Sequence, residues 1–159
     1  MDDWSMVILG IDPGTARIGY GLIEKEAGKI RFCEAGLLPI RAKVQARALV
    51  EIKTQMDALI RKWHPEILAT EKLYLVRNQK TGMSVAEARG VILLAAAEQG
   101  LTIREYGPRQ VKSGVTGYGD ADKAAVLKMV RIHLREPSLA IIDDASDALA
   151  LAIMATGRD

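Results

Sequence analysis

A single cysteine, Cys33, in a chain of 159 residues rules out an intramolecular disulfide and any cysteine-rich zinc centre. Histidine is almost as scarce. His64 and His133 stand far apart, and neither has neighbours at metal-ligand spacing. No apolar run reaches the roughly 18 residues of a membrane span. The opening Met1-Asp2-Asp3-Trp4 has none of the basic character of a secretory leader. No Pro/Gly/Ser-rich tract, repeat or low-complexity stretch marks a linker. The expectation is therefore a reduced, soluble, cytoplasmic protein with no membrane segment. It should fold as one domain over residues 1–159, with residues 1–5 as a flexible N-terminal extension. A composition of 49% apolar and 26% charged residues suits this, and a domain near this size buries about 68–70% of its unfolded surface.

The net charge of +2 hides an uneven distribution. From Lys72 to Arg135 eleven basic residues stand against five acidic ones. Carboxylates collect at the ends: Asp2, Asp3 and Asp12, then Asp143, Asp144, Asp147 and Asp159. This pattern fits a polyanion-binding surface around an acidic metal pocket, although a charge excess is more often a solvated face.

Met6–Asp12 is a short apolar run closed by Pro13-Gly14 and reads as a buried central strand. Arg17–Glu24 and Ile30–Pro39 follow as an antiparallel meander. Ala42 to Trp63 reads as a helix, because Leu49, Ile52, Met56, Leu59, Ile60 and Trp63 recur at steps of three and four before Pro65. A strand at Ile67–Glu71, a helix from Ser84 to Glu98 and a strand at Leu101–Tyr106 come next. A short helix should run from Pro108 to Lys112, with a Gly-rich loop over Gly114–Gly119. Helices at Asp120–Arg135 and Asp144–Thr156 complete the pattern, the last apolar almost all round and so buried. Strands joined through helices run parallel, so the fold class is α/β: a five-stranded mixed sheet with helices on both faces.

Asp12 and Glu71 end two of the strands, and ligand sites in open α/β sheets form at the carboxyl ends of strands. Asp144 and Asp147, three residues apart at the start of the last helix, share a face. Each acid has a plainer reading: Asp12 as a turn cap, Glu71 as an exposed strand end, Asp144 and Asp147 as helix-start acids. Together they favour a metal site, since four neighbouring carboxylates need compensating cations. Mg²⁺ suits hard oxygen ligands, and two ions about 3.5–4 Å apart can clamp an in-line phosphoryl displacement.

Ile8-Leu9-Gly10-Ile11-Asp12-Pro13-Gly14 and Gly19-Tyr20-Gly21 open a series of blocks. It continues through Ala69-Thr70-Glu71, Glu87-Ala88-Arg89-Gly90, Pro108-Arg109-Gln110-Val111-Lys112, Gly117-Tyr118-Gly119 and Asp144-Ala145-Ser146-Asp147-Ala148-Leu149-Ala150. In this order, from Met6 over nearly the whole chain, the series resembles the RuvC family of bacterial Holliday-junction resolvases. Ribonuclease-H-like and actin-like proteins share the first block; the Arg109–Lys112 block with the final one is far more specific. The resemblance implies a ribonuclease-H-like fold and a homodimer that resolves four-way DNA junctions by paired nicks in recombination and repair. It implies two Mg²⁺ per protomer, with Mn²⁺ as a substitute, and hydrolysis that leaves 5′-phosphate and 3′-hydroxyl ends. It also implies the branch-migration proteins RuvA and RuvB as partners.

Residue by residue, the resemblance makes Asp12, Glu71, Asp144 and Asp147 the catalytic metal ligands, and the Asp-Ala-x-Asp spacing selects Asp144 over Asp143. Lys112 and Lys123 match family lysines near the scissile strand, and Tyr74 the position of an aromatic at the junction centre. Tyr74 and Arg77 lie in a mixed aromatic and basic stretch, which reads either as DNA-contacting loop or as strand entering the core. Arg109 is a phosphate-positioning or merely exposed residue. Ala86, Val91, Leu94 and Ala97 form core or a self-complementary dimer patch. Leu139–Ile142 are more apolar than the family pattern. Three rival functions bear weighing. An actin-like ATPase would need a second phosphate loop and more chain. A non-catalytic junction-binding module would not need four carboxylates. A related nuclease acting on RNA is the third.

Overall fold

The computed structural model describes residues 4–14, 17–73 and 79–157. The elements are β1 (Met6–Pro13), β2 (Ile18–Glu26), β3 (Lys29–Leu37), α1 (Gln45–Trp63), β4 (Ile67–Glu71), α2 (Gln79–Glu98), β5 (Thr102–Tyr106), α3 (Pro108–Thr116), α4 (Lys123–Leu134) and α5 (Asp143–Met154). The sheet order is β3-β2-β1-β4-β5. β1, β2 and β3 pair antiparallel, while β4 runs parallel to both β1 and β5. The mixed sheet with helices on both faces, expected from the order of elements, is what forms.

Period-two alternation divides each strand between two cores. Ile8, Ile23, Ile67 and Ala69 pack with α3, α4 and α5 on one face. Leu9, Ile11, Leu22 and Leu68 pack with α1 and α2 on the other. The α5 face is unusual in how close the helix lies. A Cβ at Gly10 would stand 1.9 Å from the Ala148 carbonyl oxygen, one at Gly19 2.0 Å from that of Asp144, and one at Gly21 2.7 Å from the Leu149 side chain. Three glycines in register across β1 and β2, under a helix rich in buried alanine, let backbone rest on backbone.

Several boundaries differ from expectation. α1 begins at Gln45, not Ala42, because the Glu51 carboxylate accepts from the Arg41 and Ala42 amides at 2.6 and 3.1 Å and holds that stretch off the helix. α2 begins at Gln79, absorbing Gly82 at a propensity cost of about 1 kcal/mol. α3 does not stop at Lys112 but runs through Gly114 to Thr116. Gly114 is a packing glycine rather than a turn residue: a Cβ there would lie 2.0 Å from Met154 Sδ on α5. The helix ends only at Gly117, at φ 81°. The apolar stretch before α5 is also accounted for. Leu139 and Ile141 pack against the α5-side core, and the Leu139 carbonyl accepts from Arg131 Nε at 2.9 Å.

On α2 the core stripe is Ala88, Ile92, Ala95 and Ala96. Val91 is half-buried, whereas Leu94 and Ala97 are exposed. Of the expected N-terminal extension, residues 1–3 lie outside the described residues, and Ser5 donates to Glu24 at 2.9 Å. Among the described residues no helix is long and apolar enough to cross a membrane.

Candidate active site

Alternation that puts Ile8 and Gly10 toward α5 also puts Asp12 there, and Ile67 and Ala69 do the same for Glu71. The parallel register of β1 and β4 runs from Ile8–Ile67 to Ile11–Thr70, one step short of these two acids. Buried Thr70 ties the strand ends together by donating to the Ile11 carbonyl at 3.1 Å. On the other side, Asp12 pairs across the β1–β2 ladder with Gly19, whose missing side chain seats the Asp144 backbone. The first turn of α5 is thereby held over the strand ends.

The electrostatics record the convergence. The Asp12 carboxyl is pushed up to about 7, first by burial and then by the charges of Asp147, Glu71 and Asp144, with Lys123 opposing. Burial and Asp147 raise Glu71, against Lys112. Burial also raises Asp147, with Lys123 and Lys112 working against it and Asp144 and Asp143 adding to it. A cleft of about 230 Å³ beside these acids is lined by Glu71, Asp147, Lys112 and Lys123 among others.

Asp144 Oδ2 is buried without a hydrogen-bond partner. Arg17 Nε lies 3.0 Å away, a separation of charges without hydrogen-bond alignment. Asp143 points elsewhere, with Lys123 Nζ 3.5 Å from its Oδ2, and is exposed. Burial thus separates the two adjacent aspartates as the Asp-Ala-x-Asp spacing does. The four acids are coupled but not closed into a shell: among the described residues no three His, Cys, Asp or Glu side chains meet at metal-binding separations. The donor set nevertheless fits a hard divalent cation. It offers only carboxylate oxygens, and repulsion that a cation would relieve.

Lys112 projects from α3 and Lys123 opens α4, whose N-cap Asp122 accepts from the Ala125 amide at 2.8 Å. Arg109 stands apart from this cleft and is ion-paired with Asp120. Tyr74 and Arg77 lie outside the described residues. Arg17 was missed by the sequence reading. Its only signal was a basic residue five positions beyond Asp12, in the loop joining β1 to β2.

A ribonuclease-H-like α/β sheet carrying an acidic pocket at the ends of its two central parallel strands defines the class. A family model described as "Crossover junction endodeoxyribonuclease RuvC" matches residues 8–155. A RuvC from Heliobacterium modesticaldum is 48% identical over 149 residues, spanning 93% of this chain and 92% of the relative. One from Roseiflexus is 43% identical over the same length, spanning 93% and 89%. Among solved structures, Thermus thermophilus RuvC in complex with Holliday junction substrate superposes with a TM-score of 0.85 at 32% identity, covering 94% of this chain and 92% of that one. The yeast mitochondrial Holliday junction resolvase, with a TM-score of 0.64 at 14% identity, covers 92% and 77% and shares the fold alone. The chain belongs to the RuvC family of crossover junction endodeoxyribonucleases, and that membership implies a divalent-metal requirement.

Proposed function

We propose that this chain acts as a single nuclease domain in a cytoplasmic homodimer that nicks four-way DNA junctions symmetrically, within recombination and repair. The observation that carries this is the convergence of Asp12, Glu71, Asp144 and Asp147 beside Lys112 and Lys123. These acids would hold two Mg²⁺ ions, replaceable by Mn²⁺. Such ions would supply water activation and compensation for negative charge at the phosphate.

The chain's own residues do the rest. Asp12 and Glu71, fixed on strand ends, and Asp144 and Asp147, fixed on α5, set where a phosphodiester must lie. Lys112 and Lys123 present ammonium groups to the negative charge that builds on its oxygens during displacement. Arg109, Tyr74 and Arg77 are further contacts to the DNA. Two-fold symmetry of the dimer matches the near two-fold junction and directs one nick to each of two strands of like polarity. RuvA and RuvB are the partners that deliver the junction.

A labelled synthetic four-way junction, a linear duplex and an RNA–DNA hybrid, each incubated with Mg²⁺ or with Ca²⁺, test this. Paired nicks in the junction alone, with Mg²⁺, are expected. Junction binding without nicks means a binding module, and cleavage of the hybrid means an RNA-directed nuclease.

A further inference from the structure

A second concavity, about 490 Å³, is lined by Arg17, Arg41 and Lys43 among others. We infer that this groove carries the phosphate backbone of the bound DNA strand next to the phosphate being cleaved, with Arg41 and Lys43 as its contacts. The inference rests on the nuclease reading above and assigns a path to the substrate on either side of the chemistry.

Charge comes first. Arg17, Arg41 and Lys43 line the groove, and no acidic residue does among the described residues. Some basic side chains elsewhere on the surface are neutralised: Arg31 by Glu24, Lys53 by Asp57 and Glu98, Lys62 by Glu34. Arg41 and Lys43 are exposed and have no acidic partner among the described residues. The Glu51 carboxylate nearby accepts from the Arg41 and Ala42 backbone amides rather than pairing with either side chain. That commitment has a second effect. It pins the β3–α1 connection, so both cations are presented on a fixed rim rather than on a loose loop.

Position comes second. Arg17 is shared: its Nε is 3.0 Å from Asp144 Oδ2, and its side chain borders the groove, as does Gly14, two residues beyond Asp12. The carboxylates therefore have Lys112 and Lys123 in the cleft beside them and, through Arg17, the groove that Arg41 and Lys43 line. Each DNA strand carries a phosphate about every 3.4 Å of helix axis. A strand with one phosphate at the carboxylates must set its neighbours down within a stride or two of them. The groove floor of Leu38, Ile40 and Ile52 is apolar and takes sugar faces, not charge.

The test is junction binding in Ca²⁺ across a salt series, using the full chain with Arg41→Ala and Lys43→Ala combined. Loss of two phosphate contacts should make the log–log salt slope shallower by about 1.4 for single-stranded contacts or about 1.8 for duplex contacts. The same slopes weaken binding on the order of ten- to thirtyfold near 0.15 M salt. In Mg²⁺ the half-saturating protein concentration should rise by a similar factor, with a much smaller fall in the saturated nicking rate. Arg41→Lys with Lys43→Arg should restore the slope, and Arg41→Gln with Lys43→Gln should reproduce the loss. Arg61→Ala removes one cation from α1 about 24 Å along the helix from Gln45 and should leave the slope unaltered. A wild-type slope in the double variant overturns the inference, as does lost affinity accompanied by a changed sedimentation coefficient, which would make the groove a protein interface. If wild type itself neither binds nor nicks the junction, the nuclease reading fails first. If wild type nicks and the double variant matches it, only the groove is wrong.

Discussion

Replacing Asp12 with asparagine keeps the shape of the side chain and deletes a charge that the metal-free fold resists. In the folded protein this carboxyl is raised from 3.8 to about 7, which disfavours the ionised form by at most about 4 kcal/mol. Between those two values the folded state holds a proton that the unfolded chain has released. Stability therefore falls as pH rises through that window, and the whole penalty is present above pH 7. Asparagine should remove it: about 4 kcal/mol of stabilisation at pH 8, less than half of that at pH 5 and little near pH 3.8. For a chain of this size those figures correspond to rises in Tm of about 8–16 °C at pH 8 and about 3–6 °C at pH 5. The assay is thermal unfolding in EDTA over a pH series, for wild type and Asp12→Asn side by side. The variant should also bind junction DNA in Ca²⁺ while nicking is lost in Mg²⁺. A variant no more stable than wild type at pH 8, or one whose advantage is the same at every pH, would refute the picture of mutually repelling buried acids. Nicking at near wild-type rate would remove Asp12 from the machinery.

The same coupling predicts a pH-dependent metal requirement. The Mg²⁺ concentration for half-maximal nicking should fall roughly tenfold per pH unit up to about 7 and then level off, since cation binding must displace the Asp12 proton; a pH-independent requirement contradicts this. Lys112→Ala and Lys123→Ala should each lower the single-turnover rate by about 10²–10³-fold with little loss of junction affinity. Unchanged rates with a salt slope shallower by about one would make them backbone contacts instead. Gly19→Ala forces a methyl to within 2.0 Å of the Asp144 carbonyl oxygen. It should cost about 1–3 kcal/mol by overpacking and, by shifting Asp144 and Asp147, about 10²-fold in nicking rate. A full-rate Gly19→Ala protein would show that the seat of α5 is not critical.

Much of this arrangement was legible from residue order. The apolar run ending at Asp12 and the short run ending at Glu71 announce buried strands. Counting by twos from Ile8 and Ile67 already sends both acids to one face. The Asp144–Asp147 spacing likewise puts two more on one side of a helix. Hidden from such counting were relations that depend on how closely elements approach. Gly114 looks like loop until Met154 is found above it, and Gly10 and Gly19 look like loose strand positions until α5 is seen resting on them. Residues 42–44 carry helical periodicity, yet a glutamate seven or more positions later captures the amides that would have begun the helix. Arg17 has no pattern to betray it, because its partner Asp144 lies far along the chain.

The glycine seat under α5 has a consequence for the order of events in a growing polypeptide. Asp12 and Glu71 are synthesised on strands that can pair before α5 exists, whereas Asp144 and Asp147 arrive on a helix whose contacts with β1 span most of the sequence. Contacts so distant are expected to close late. A nascent or partly folded chain therefore brings together at most two of these four acids. On the four-acid reading of the site, cutting competence would therefore come only with the last helix, after both strands are in place.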